Sequence, residues 1–237
     1  MANVAKVLST VNKIKSYGIG VYEVEFSVPI RSSRFLPGQF LHLALDEFDP
    51  TTGWWPESRV FSIASEPGQD FVTVVYSVKG TYTKRMEHEL KVGREVWLKL
   101  PYGDFIIEEK ETPTILVAGG TGVSPFWPFL LKPRNEGNVY LFYGVREGIH
   151  ILFKEQIQTL IQKNWFHFHL FVERGVVDDL PFQNGRLSIP NIKNYLGGQF
   201  GSSDFYLSGP PVMIKSFKTE LFNLGIDQSK VHIDEWE

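Results

Sequence analysis

The sequence predicts two domains in series: an antiparallel β-barrel, then an α/β domain with a doubly wound parallel sheet. Three observations carry that expectation. Short runs rich in β-branched and aromatic residues, punctuated by turn residues, fill the first half. Similar runs alternate with helical stretches in the second half. Between them lies a charged, proline-ended stretch, Glu108-Glu109-Lys110-Glu111-Thr112-Pro113, that reads as a linker. The expected domains are therefore residues 1–108 and 112–237.

In the first half the expected strands are 4–11, 21–28, 39–45, 60–65, 71–78 and 95–100. Turn pairs such as Tyr17-Gly18, Pro37-Gly38, Pro67-Gly68 and Val92-Gly93 separate them. Strands at this spacing close into a barrel or sandwich. One helix, near 83–90, interrupts them. In the second half strands are expected at 114–117, 139–143, 166–172, 205–207 and 231–233, with helices at 125–131, 151–163, 189–196 and 212–224. The chain shows no internal repeat and no low-complexity segment.

Composition removes several function classes. A net charge of −3 leaves no basic footprint for nucleic acid. The absence of cysteine excludes disulfides, zinc–thiolate sites, cysteine nucleophiles and a cysteine-ligated iron–sulfur cluster in this chain. No apolar run reaches membrane-spanning length, and Met1-Ala2-Asn3-Val4 does not open a secretory signal. The expectation is a cytoplasmic protein. His167 and His169 share one face of a strand, but no third ligand accompanies them, so no metal site is expected.

The stretch Val117-Ala118-Gly119-Gly120-Thr121-Gly122-Val123-Ser124-Pro125 joins an apolar run to a second, aromatic one. It reads as strand, glycine turn, helix. Such a turn lets a phosphate approach backbone N–H groups at a helix N-terminus. A strand-to-helix turn needs glycine for structural reasons too. Taken alone, the motif leaves both readings open.

Four further stretches add to it. Arg59-Val60-Phe61-Ser62-Ile63-Ala64-Ser65 stands upstream, between Pro37-Gly38-Gln39-Phe40 and Pro101-Tyr102-Gly103-Asp104-Phe105. Tyr206-Leu207-Ser208-Gly209-Pro210-Pro211-Val212-Met213 follows downstream. In this order they resemble the ferredoxin–NADP reductase family of flavoproteins over nearly the whole chain, matching its R-x-Y-S, G-G-T-G-x-x-P and C-G-P-x-x-M blocks.

The resemblance implies an FAD-binding barrel and an NAD(P)H-binding α/β domain. Arg59 matches the arginine on the flavin pyrophosphate, a role suited to a guanidinium fork. Ser62 matches the serine near flavin N5. Phe61 stands where the family has tyrosine; ring stacking survives and one hydrogen bond, about 1 kcal/mol, is lost. Val60 and Val78 flank these positions as further flavin contacts. Lys79-Gly80-Thr81-Tyr82-Thr83 opens a helix, so Gly80, Thr81 and Thr83 form a second phosphate nest or a plain threonine cap. In FAD-using members this loop grips the pyrophosphate, which favours FAD over FMN. Trp54 and Trp55 either cover the flavin, dock a partner or pack on the barrel end.

On the nucleotide side, Gly119, Gly120, Thr121, Gly122, Gly209 and Pro210 match the NAD(P) loops. Ser208 replaces the family's cysteine beside the nicotinamide and is not expected to act as a nucleophile. Arg146 and Arg174 are further nucleotide contacts. Glu173 stands where NADP users often have serine, which leans the choice toward NADH. Asp234 falls where the family often has glutamate near the flavin, and Trp236 matches the C-terminal aromatic over the flavin face. Ser62, Ser208, Asp234 and Trp236 are thus the candidate catalytic residues.

The implied activity passes hydride from NAD(P)H to FAD, then electrons to a separate acceptor: ferredoxin, flavodoxin, an oxygenase component or a small oxidant. The alternative is a non-catalytic flavin- or nucleotide-binding subunit of a larger complex, which the Phe61, Ser208 and Asp234 departures permit.

Overall fold

The computed structural model describes residues 4–234. They divide into two compact units, one running through Ile107 and including Ser124–Lys132, the other Glu108–Val123 with Pro133 onward.

The first unit is built on β1 (Ala5–Ser16), β2 (Val21–Ser27), β3 (Phe40–Ala44), β4 (Ser58–Ser62), β5 (Phe71–Ser77) and β6 (Glu95–Tyr102). All neighbours are antiparallel, in the order β4-β3-β6-β1-β2-β5. A bridge between Ile63 and Val74, with the Ala64 amide donating to Thr73 O at 2.8 Å, joins the two edges. That closure makes the sheet a barrel and protects its edges. One long strand serves both halves: β1 pairs with β6 from Ala5 to Thr10 and with β2 from Val11, with a register shift between Val11 and Lys13. A bulge there bends the strand round the barrel.

Alternation fills the interior. Val7, Val11, Val24, Phe26, Leu41, Leu43, Ile63, Val74 and Leu98 are all buried in one cluster. Helix α1 (Thr81–Glu89) adds Tyr82 and Met86 to it. The blocks around Gly38 and Gly103 grip each other: Gln39 Nε2 donates to Gly103 O at 3.0 Å, and the Ile107 amide to Pro37 O at 3.0 Å.

The second unit is a parallel sheet of β7 (Thr114–Gly119), β8 (Val139–Glu147), β9 (Phe166–Arg174), β10 (Phe182–Asn184), β11 (Asp204–Ser208) and β12 (Val231–Ile233). Its order is β10-β9-β8-β7-β11-β12. The chain therefore moves outward from β7 to β10, then returns to the other side of β7. The point where strand order reverses lies between β7 and β11, where open α/β sheets form a ligand crevice. Every residue of β7 is buried, as expected of a central strand covered on both faces. Helices α4 (Ile189–Leu196) and α5 (Pro211–Asn223) supply Ile189, Ile192, Phe217 and Leu221 to one core with Val117, Phe142 and Leu207.

Several elements differ from the sequence expectation. The helix expected at 125–131 is a 3-10 stretch, Gly120–Phe126, followed by the single turn α2 (Trp127–Leu130). Pro125 and Pro128 lack the amides that a longer α-helix needs. The helix expected at 151–163 shortens to α3 (Lys154–Leu160), because buried Phe153 takes a left-handed φ of 55° immediately before it. Strand β10, pairing with β9, was not expected. The linker is also anchored. Lys110 Nζ lies 2.5 Å from Asp204 Oδ1, and Thr112 Oγ1 donates to Asp204 Oδ2 at 2.6 Å, which ties it to β11. Among the described residues no helix is long and apolar enough to cross a membrane.

Candidate functional site

On the barrel, the alternation of β4 puts Arg59 and Phe61 on one face and Val60 and Ser62 on the other. The residues expected as one flavin surface are thus split between two. Phe61 packs against the barrel core, edge-on to Tyr76 with ring centroids 6.2 Å apart. Val78 also packs on that core, and its amide donates to Gly20 O at 2.8 Å. Ser62 is half-buried and pairs opposite Phe40.

Arg59 is exposed, and its guanidinium lies 4.8 Å from the centre of the Tyr82 ring. Sequence reasoning missed that support, because Tyr82 sits in α1, far along the chain. The Tyr82 hydroxyl donates to Leu43 O at 2.7 Å and accepts from the Leu45 amide at 3.2 Å. Burial pushes its pKa up, so it stays a neutral donor. One residue therefore locks the start of α1 to β3 and holds Arg59 beside it. Arg59 Nη2 lies 2.9 Å from Glu57 Oε1, an exposed ion pair worth well under about 1 kcal/mol. An incoming anion can displace that carboxylate at little cost.

The first turn of α1 clarifies the loop before it. Thr83 Oγ1 accepts from the amides of Lys79 at 2.9 Å and Gly80 at 3.1 Å. Those two donors and the Thr83 hydroxyl are thus engaged in a cap. The amides of Thr81, Tyr82 and Thr83 have no acceptor within the helix, as in any first turn. Gly80 leaves open space, since a Cβ built there meets nothing within 4 Å. Amides, helix dipole and the Arg59 cation meet at one end of α1, an arrangement suited to a phosphate.

In the second unit the glycine turn after β7 meets the Ser208-Gly209-Pro210 turn after β11. The contact is between backbones: a Cβ on Gly122 would stand 2.4 Å from Ser208 O. Gly209, at φ 154°, is less crowded: a built Cβ would meet the movable end of Met213 at 2.7 Å and the Gly119 backbone at 3.0 Å. Gly122 is therefore demanded by strand packing whether or not a ligand is present. Gly120 differs, with a left-handed φ of 56° and nothing within 4 Å of a built Cβ. Thr121 is half-buried in the 3-10 stretch, and Pro210 precedes α5.

Ser208 and Asp234, far apart in sequence, come together here. Ser208 Oγ donates to Asp234 Oδ2 at 2.9 Å, and both residues are 3% exposed. The Asp234 amide donates to Leu207 O at 2.9 Å. The parallel pairing of β11 with β12 makes this meeting possible. Trp236 lies outside the described residues.

Arg146 and Arg174 are exposed at the carboxyl ends of β8 and β9. Arg174 lines a groove of about 320 Å³ with Glu147, Gly148, Ile149, Gly175 and Val176. Arg186 Nε donates to Glu173 Oε1 at 3.3 Å. That neighbouring cation offsets the repulsion Glu173 would exert on a 2′-phosphate, so the lean toward NADH loses support.

Comparison with known proteins agrees with this architecture. Residues 116–219 match the family model of the oxidoreductase NAD-binding domain. The chain is 27% identical to the anthranilate 1,2-dioxygenase electron transfer component of Acinetobacter baylyi, over 91% of this chain and 62% of that protein. It is 28% identical to the xylene/toluene monooxygenase electron transfer component of Pseudomonas putida, over 94% of this chain and 63% of that protein. The chain thus spans somewhat under two thirds of these relatives. A solved ferredoxin NADP+ reductase from Neisseria gonorrhoeae, with bound FAD and NADP, superposes with a TM-score of 0.79, covering 99% of both chains at 18% identity. The chain thus has the fold of that reductase, and residues 116–219 carry an oxidoreductase NAD-binding domain.

Proposed function

We propose that the protein is a flavin-dependent oxidoreductase that moves reducing equivalents from NAD(P)H through FAD to a separate acceptor. The observation that carries this reading is the Arg59–Tyr82–α1 arrangement on a barrel, in a chain that also holds an NAD-binding domain. The flavin part is assigned to residues 1–108 and the nucleotide part to 112–237.

The residues present fit FAD. A pyrophosphate needs a fixed cation, free amides and room, and the start of α1 offers all three. Bound there, FAD would supply the exchange between two-electron and one-electron chemistry, which no side chain of a cysteine-free protein provides. Arg59 would neutralise phosphate charge with Gly80, Thr81 and Thr83, while Phe61 and Val78 on the barrel and Val60 and Ser62 on the other face of β4 would meet other parts of the flavin. Gly119, Gly120, Thr121, Gly122, Gly209 and Pro210 would line the nicotinamide-nucleotide crevice at the β7/β11 switch point, with Arg146 and Arg174 beyond. Ser208 has turned its proton toward Asp234. Its oxygen is therefore left as an acceptor for an incoming amide N–H, and Asp234 sets its orientation.

The relatives are named electron transfer components of oxygenases. That supports an oxygenase component, or a ferredoxin serving one, as acceptor ahead of flavodoxin or a small oxidant. We place the protein in the cytoplasm.

The test is the visible absorption spectrum of the purified protein, before and after anaerobic addition of NADH and then NADPH. Flavin bands that bleach with either nucleotide are expected. Bands that bleach with neither overturn the enzyme reading in favour of a non-catalytic subunit. A protein that takes up no added FAD overturns the flavin reading itself.

A further inference from the structure

Three basic residues stand in one row across the outside of the barrel. Lys99 of β6 pairs directly opposite Lys6 of β1 on one side and His42 of β3 on the other. Their chain neighbours Val7, Leu41 and Leu98 are buried in the core, so the row points outward. Like charges directly opposite each other on adjacent strands work against the pairing that brings them together.

Among the described residues no carboxylate pairs with either lysine. Each leans instead on aromatic faces. Lys6 Nζ lies 4.2 Å from the centre of the Phe48 ring and 5.9 Å from that of Trp55. Lys99 Nζ lies 5.6 Å from Trp55 and 5.2 Å from Tyr102. A ring eases an ammonium group but carries no net charge, so the pair stays uncompensated. Burial and the Lys99 charge push the His42 pKa down, which keeps the third member of the row neutral near pH 7.

The next row is apolar. Trp97, two residues before Lys99, pairs opposite Leu8 and Ala44. Trp97 is half-buried against Phe48, their rings 5.3 Å apart, and Leu8 is 49% exposed. Residues two apart on a strand are separated by about 7 Å, so the two rows are adjacent. This wall is separate from the phosphate cradle. Lys99 and Lys6 lie two and three strands from β4, and Val60, in line with the row, faces opposite to Arg59.

We propose that the β3–β6–β1 wall docks an acidic segment of a partner protein. The segment's carboxylates sit between Lys6 and Lys99, and its apolar side chains lie along Leu8 and Trp97. A carboxylate there converts an opposition of like charges into two ion pairs, which no apolar or uncharged partner can do. The cradle on the other face of β4 stays open while the segment is bound. The inference does not depend on the flavin reading.

The test uses the full chain, isotope-labelled for NMR, at low salt. The probe is a synthetic peptide alternating glutamate and leucine. The Trp55 indole N–H resonance, assigned by its loss in Trp55→Phe, reports binding because both ammonium groups flank that ring. A saturable shift is expected in the parent. Lys6→Gln combined with Lys99→Gln should weaken the peptide about 10-fold, as much as two exposed ion pairs support. Lys13→Gln, on β1 but opposite Glu25, should change nothing. Lys99→Gln alone should raise the pH at which His42 titrates. Circular dichroism confirms that each variant folds. No shift in the parent overturns the proposal. So does an equal loss in Lys13→Gln, which would mark general charge attraction only. If glutarate or inorganic phosphate at the same charge concentration gives the same shift, the wall is a small-anion site and the docking proposal fails. An unchanged His42 titration in Lys99→Gln would show that the row is not one electrostatic unit, and it sinks the proposal too.

Discussion

Gly120 and Gly122 stand two residues apart and need glycine for unlike reasons. At Gly122 the obstacle is a neighbouring backbone, with a built Cβ 2.4 Å from Ser208 O. At Gly120 the space is open and only the left-handed φ of 56° resists a side chain. Gly120→Ala should therefore cost about 1 kcal/mol, the usual penalty of that conformation. Gly122→Ala must push the β7 and β11 turns apart and should cost more, about 2–3 kcal/mol. Urea unfolding of both variants checks this; equal losses would show that the two turns can separate freely. The motif was plain in the sequence, but its meaning was not. Which glycine serves packing and which serves conformation depends on what stands opposite each, and Ser208 lies far along the chain.

At the scale of elements, β9 carries a titration that its sequence only half announced. The alternation of His167 and His169 placed both on one face. The structure stacks His167 on Tyr140 at 4.5 Å and His169 on Phe142 at 4.7 Å, with Tyr195 of α4 3.9 Å from His169. Burial, helped by His167, pushes the His169 pKa down to about 4. In the unfolded chain the ring titrates near 6.5. Between those values the unfolded state takes up a proton that the fold refuses. Stability is therefore full above about pH 6.5 and falls as the pH drops toward about 4. The loss should be on the order of 1–2 kcal/mol, discounted because the ring is only partly buried. His169→Phe should flatten this slope in urea midpoints measured from pH 4.5 to 7.5. An unchanged slope would show that the proton is resisted elsewhere.

For the molecule as a whole, each unit has its own core, so each ligand should stabilise the backbone that holds it. FAD at 100 times its dissociation constant should add about 2.7 kcal/mol to the state that binds it. In hydrogen exchange it should slow β4 and the first turn of α1. NADH or NADPH should instead slow the turns after β7 and β11. Protection of the second unit by FAD alone, with the barrel unaffected, would place the flavin wrongly.

Much of this was legible from residues alone. Short β-branched and aromatic runs punctuated by turn residues, and the strand–helix alternation after residue 113, determined the two architectures, because strand and turn preferences act locally. The motif blocks likewise named the turns where ligands are expected. What the sequence could not settle depended on distant partners. The glycine and serine turns meet only because strand order reverses between β7 and β11. Arg59 has a fixed seat only because Tyr82 of α1 lies beneath it. Ser208 donates its hydroxyl to a carboxylate only because β12 brings Asp234 alongside. The fate of Trp54 and Trp55, identical neighbours in sequence, was settled by which one reached Phe48 and which was left facing water.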